Sequence, residues 1–217
     1  MIKAVVFDKD GVLVDTEELI ADAIKTLINK YSSIPFDLND GRNLRGSSAK
    51  ATFEFLVKKY FLPFTLEEAL EKYQEEYEIE IVRKDNLIMD GVVEFLEDLR
   101  NNNILYGIGT NSIRARTAIS MKGLESYFEV VVTADDIKNP KPAPDVFLKV
   151  AEMLGVDPHE CVVIGDTNND SVAARSANMK FIYRDHGLGL VIDPEPDHSI
   201  NSMREISVEK LKELFDK

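Results

Sequence analysis

Apolar and polar positions alternate along this chain in blocks of two periods. Ile2 to Phe7 is continuously apolar, the pattern of a strand buried on both faces of a parallel sheet. From Thr16 the period becomes helical: Leu19, Ala23, Leu27 and Ile20, Ile24, Ile28 recur on one face, and Thr16-Glu17-Glu18 suits a helix start. Pro35 to Ser48 is polar, carries Gly41 and Gly46, and reads as a loop or broken helix. Phe53, Leu56, Val57 and Tyr60 predict a second helix, and Leu66, Leu70, Tyr73 and Tyr77 a third after Pro63. Residues 67–80 carry seven glutamates and one lysine, read as a solvated helix face.

Strand–helix alternation then returns. Val92, Phe95, Leu96 and Leu99 mark a helix, "ILYGIGT" (104–110) a strand, and Ile113 to Lys122 a helix. "FEVVVTADD" (128–136) reads as a strand, followed by a stiff loop with Pro140, Pro142 and Pro144. A helix from Val146 to Leu154, the strand "CVVIGD", a helix from Ser171 to Asn178, the strand "KFIYRD" and a closing helix with Val208, Leu211 and Phe215 complete the pattern. This order predicts an α/β fold with a doubly wound parallel sheet, in which ligands sit beyond the carboxyl ends of the strands. The all-helical block 16–86 reads as an insert after the first strand.

Composition narrows the function classes. At 217 residues and 44% apolar content, the chain suits one large domain, or one domain with a smaller insert. A net charge of −13 argues against a general nucleic-acid binder and against adhesion to an anionic membrane. It still permits a small anionic substrate, because a metal ion or a few local cations reverse the field. No apolar run approaches membrane length, and the N-terminal one is too short for a signal-peptide core, so a cytoplasmic protein is expected. The single cysteine, Cys161, lies in an apolar strand and reads as a small buried residue rather than a reactive thiol.

The chemistry gathers at strand ends. The first strand ends in Asp8-Lys9-Asp10-Gly11, another in Thr110-Asn111-Ser112, and another in Gly165-Asp166 with Asp170 four residues on; the proline loop presents Lys141. In extended geometry Asp8 and Asp10 share one face and Lys9 points elsewhere. At a helix start, Asp166 and Asp170 would stand side by side. So many carboxylates in one crevice require protonation or a divalent cation. An all-oxygen set suits Mg²⁺, which keeps waters for a phosphate to replace. Lys141, Thr110 and the backbone N–H groups near Asn111 suit a phosphoryl group. A carboxylate facing phosphorus can act as nucleophile, and its neighbour as general acid and then base.

Taken as a set, "DKDGVLVDTE", "TNS", "KPAPDVF" and "GDTNND" resemble the four motifs of the haloacid dehalogenase superfamily of phosphohydrolases. The resemblance spans nearly the whole chain. It implies a Rossmann-like core (1–15 and 87–217) with an inserted helical cap (16–86). It also implies a phospho-aspartyl mechanism with Asp8 as nucleophile and Asp10 as acid and base. Mg²⁺ would be held by Asp8, the Asp10 backbone carbonyl and Asp166, with Asp170 as a further ligand or supporting partner. Thr110, Asn111 and Lys141 would hold the phosphoryl oxygens. Arg45, Arg42 and Arg114 are candidates for the rest of the substrate.

By its first motif and insert, the chain looks similar to β-phosphoglucomutases and sugar-phosphate phosphatases. Three positions depart from the mutases. Ile20 replaces a histidine, Ala49 and Lys50 follow the "GSS" of the insert loop, and Gly165 replaces an acid. These favour a phosphatase of a small phosphorylated metabolite; a phosphosugar mutase and a non-catalytic phospho-aspartate switch are the rivals. Lys9 stands where the family usually has a bulky apolar residue, with little effect expected on mechanism. The three histidines fall outside the motifs and read as surface residues. Hinges near 14–16 and 86–91 would let the insert close.

Overall fold

The computed structural model describes residues 1–37, 40, 49–84, 86–187 and 189–216. The chain divides into two compact units, Met1–Asp15 with Asn86–Lys217, and Thr16–Asp85.

The larger unit is built on one parallel sheet. Its strands are β1 (Ala4–Phe7), β2 (Leu105–Gly109), β3 (Val131–Val132), β4 (Cys161–Gly165), β5 (Lys180–Arg184) and β6 (His198–Ile200). Their order is β3-β2-β1-β4-β5-β6. In register, Phe7 lies beside Ile108 of β2 and Ile164 of β4, so these three strands end level with one another. Asp8, Thr110 and Asp166 follow those ends and are thereby brought to one edge.

Burial on both faces explains the unbroken apolar runs. On one face Ala4, Val6, Cys161, Val163 and Phe181 pack with Val146, Phe147, Val150, Ala173 and Ala174 from two helices, Asp145–Leu154 and Asn168–Ser176. On the other, the Phe7 ring meets Phe95 and Phe128 edge to face, at 6.0 and 6.1 Å between centroids. Phe95 belongs to the helix Val92–Asn101. The remaining helices of this unit are Arg114–Ser120 and Val208–Phe215. The stretch read as a strand over 128–136 is a strand only at Val131–Val132. Beyond it, Thr133 and Asp136 form a capping box around a single 3₁₀ turn that takes the chain out of the sheet. The short edge strand β6 has no counterpart in the sequence reading, since three residues are too few to show a period.

The smaller unit has three helices among its described residues: Glu17–Tyr31, Ala49–Lys59 and Leu66–Arg83. Among the described residues the helices, in chain order, are therefore α1 (Glu17–Tyr31), α2 (Ala49–Lys59), α3 (Leu66–Arg83), α4 (Val92–Asn101), α5 (Arg114–Ser120), α6 (Asp145–Leu154), α7 (Asn168–Ser176) and α8 (Val208–Phe215). Thr65 and Glu68 close a capping box at the start of α3. Phe53 of α2 and Tyr73 of α3 are in ring contact at 4.9 Å. The glutamate run on α3 is not wholly a solvated face, because Glu76 is buried and accepts from Lys30 of α1 at 2.9 Å.

Candidate active site

Three carboxylates converge at the level strand ends. Asp8 follows β1, Asp166 follows β4, and Asp170 sits in the first turn of α7; one ligand atom from each lies within 4.8 Å of the others. All three side chains are buried. Asp170 is turned toward the strand end by its own capping box: its Oδ2 accepts from Thr167 N at 3.0 Å and Thr167 Oγ1 at 2.5 Å. That turn needs Gly165, because a Cβ there would stand 2.5 Å from the Asp170 Cβ.

Lys141 completes the group. Its Nζ donates to Asp8 Oδ1 at 2.6 Å and to Asp170 Oδ1 at 2.8 Å, and it stands 4.7 Å from the centre of the Phe147 ring. Burial disfavours the Lys141 charge, but Asp170 and Asp8 outweigh it and hold the ammonium above the ordinary lysine range. For Asp8, burial is the largest influence and raises it; Lys141 pulls it down, and Asp170, Asp166 and Asp10 push it up again, leaving the carboxyl raised. Three acids and one lysine are thus a group in want of positive charge. The three acids offer only oxygens, the chemistry of a hard divalent cation, and a cation held among them would supply the opposite field.

Asp10 is not a carboxylate member of that group. β1 ends at Phe7, and Asp10 lies beyond it, in an isolated bridge with Val14. The Asp10 carboxylate instead accepts from Lys9 Nζ on Oδ1 at 2.7 Å and from Ser112 Oγ on Oδ2 at 2.8 Å. Lys9 therefore does not point away from Asp10; it is fully buried and returns to it. Gly11 follows with φ +76°, and a Cβ there would lie 2.1 Å from Asp166 Oδ2.

The other candidates fall in different places. Thr110 is buried beyond β2, and its Oγ1 accepts from Ser112 N at 3.1 Å. The Asn111 side chain pairs with the Lys141 backbone. Its Nδ2 donates to the Lys141 carbonyl at 3.2 Å, and its Oδ1 accepts from the Lys141 N–H at 2.9 Å. It fixes the loop that carries the lysine. Arg114 is committed to an ion pair with Asp136 at 2.5 Å, while its N–H donates to Asp135 at 2.7 Å. Arg42 and Arg45 lie outside the described residues. His186, read as a surface residue, stands with Nε2 3.2 Å from Asp166 Oδ2. The signal for it was positional, since it follows the carboxyl end of β5, where a parallel sheet collects its ligands.

The haloacid dehalogenase-like hydrolase family model matches residues 5–183. The chain is 30% identical over 218 residues to a phosphorylated carbohydrates phosphatase of Thermotoga maritima, covering 94% of this chain and 99% of that one. Among solved structures it is similar to a putative β-phosphoglucomutase from Thermotoga maritima, with TM-score 0.83 and 27% identity, covering 98% and 99% of the two chains. It shares its fold with a hydrolase of family IA, variant 3, from Entamoeba histolytica, with TM-score 0.86 and 24% identity over both full lengths. This chain belongs to the haloacid dehalogenase-like hydrolase family and is an enzyme. No helix among the described residues is long and apolar enough to cross a membrane.

Proposed function

We propose that the enzyme is a Mg²⁺-dependent phosphatase of a small phosphorylated metabolite, acting through a phospho-aspartyl intermediate on Asp8. The observation that carries this reading is the buried Lys141 bridging Asp8 and Asp170 beside Asp166. Asp8, Asp166 and Asp170 are the residues that would hold the cation, with the Asp10 carbonyl. When bound, the cation supplies charge neutralisation for a phosphoryl group and its attacking carboxylate.

The rest falls to the chain's own groups. An Asp8 carboxylate oxygen attacks phosphorus as the ester P–O bond breaks, and Asp10 gives the leaving oxygen its proton. Asp10 then takes a proton from the water whose oxygen attacks phosphorus, and the Asp8–phosphorus bond breaks. Lys141 and Thr110 attract the phosphoryl oxygens, and Asn111 keeps the Lys141 backbone in place. The helical unit Thr16–Asp85, inserted after the first motif, serves in this reading as the cap that sets specificity. The phosphatase of Thermotoga maritima supports the substrate class.

The test is phosphate release from a panel of sugar phosphates, phosphoglycolate and nucleotides, with and without Mg²⁺, for wild type and Asp8→Asn. Release that needs Mg²⁺ and disappears in Asp8→Asn is expected; undiminished release by the variant refutes the mechanism. A phosphosugar mutase is the second reading, favoured by the similarity to the putative β-phosphoglucomutase of Thermotoga maritima. It requires glucose 1-phosphate to be converted to glucose 6-phosphate when a bisphosphate primer is added.

A further inference from the structure

A fully buried lysine is costly unless its charge finds partners in good geometry. Lys9 has two such partners: Asp10 Oδ1 at 2.7 Å and Ser120 Oγ at 2.8 Å. Ser120 is itself fully buried at the end of α5, and its hydroxyl lies 3.0 Å from the Arg116 carbonyl. The other oxygen of Asp10 is held by Ser112, just before the same helix. Both carboxylate oxygens are thus fixed by one segment, 112–120, directly at one end and through Lys9 at the other. An apolar side chain at position 9 would fill the same space and leave Oδ1 without this donor.

We propose that Lys9 is a positioning residue for Asp10, holding its carboxylate in the orientation that proton transfer requires. The inference rests on the reading of Asp8 as nucleophile and Asp10 as acid and base. Its consequence falls on the leaving group. An alkoxide must receive a proton as the P–O bond breaks, and a misplaced donor slows that step. A nitrophenolate leaves with its electron pair and needs no proton. The ratio kcat/KM covers the steps through departure of the leaving group, so it separates the two.

The experiment measures kcat/KM of wild type, Lys9→Met and Ser120→Ala with β-glycerophosphate and with p-nitrophenyl phosphate. In Lys9→Met, kcat/KM is expected to fall at least tenfold for the alkyl ester and less than threefold for the aryl ester. Ser120→Ala should show the same split at smaller size, about threefold on the alkyl ester, and supplies the answer if Lys9→Met does not fold. In an Asp10→Asn background, Lys9→Met should add no further split. An equal loss on both esters, or no loss on either, overturns the inference while leaving the phosphatase reading intact. Undiminished release by Asp8→Asn overturns the nucleophile reading, and this inference with it.

Discussion

The side-chain amide of Asn111 pairs with the backbone of Lys141 in both directions, donating to its carbonyl and accepting from its N–H. Two loops at the strand ends are thereby locked together, and the lysine enters the acidic group from a fixed backbone. Asn111→Ala leaves two partly buried backbone groups without this partner, which costs about 1–3 kcal/mol. The expected result is lower stability in urea unfolding together with at least a tenfold fall in kcat. A fall in stability with kcat unchanged would show that Lys141 does not depend on this contact.

Gly11 is required both by conformation and by space. Its φ of +76° strains any side chain, and a Cβ would meet Asp166 Oδ2 at 2.1 Å. Under the proposed mechanism, Gly11→Ala should displace Asp166 and raise the Mg²⁺ concentration for half-maximal phosphate release by tenfold or more. An unchanged Mg²⁺ dependence would remove Asp166 from the cation site.

Cys161 lies in β4, fully buried, and burial pushes its thiol up to about 12. At pH 8 it is therefore a thiol, not a thiolate, and is covered by the sheet and its helices. Native protein should show no labelling by a disulfide reagent over an hour, and one thiol per chain after unfolding. Rapid labelling of the native protein would contradict the packing of this strand.

Arg114 and Asp136 form an exposed pair, so their mutual contribution is under about 1 kcal/mol. Arg114→Ala should change stability by no more than that and leave KM within twofold. A large rise in KM would return Arg114 to substrate binding. The pair also has a pH sign. The Thr133 backbone N–H first, then the Thr133 hydroxyl and Arg114, hold the Asp136 carboxyl below its ordinary 3.8 against the effect of burial. A lowered folded value stabilises above the unfolded value and is lost as pH falls through the folded one. The stability difference between wild type and Asp136→Asn should therefore be constant above about pH 5 and shrink below pH 4 in urea titrations.

The periods of the sequence determined most of the architecture, because burial leaves a direct trace in it. Apolar runs such as Val5 to Phe7 and Cys161 to Ile164 identify strands covered on both faces, and the helical spacing of Leu19, Ala23 and Leu27 identifies a covered helix face. The gathering of Asp8, Thr110, Lys141 and Asp166 at one edge was legible too, since a parallel sheet collects its strand ends on one side. Where β3 stopped and β6 formed was not legible, because two or three residues carry no period. The directions of single side chains were decided only in three dimensions. Lys9 turns back to Asp10, Asn111 turns to the Lys141 backbone, Arg114 turns to Asp136, and His186 reaches Asp166. Spacing along a chain fixes which residues share an element; the hydrogen-bond partner of a polar side chain depends on groups far along the chain, 133 residues apart for Lys141 and Asp8, and only the folded packing brings those together.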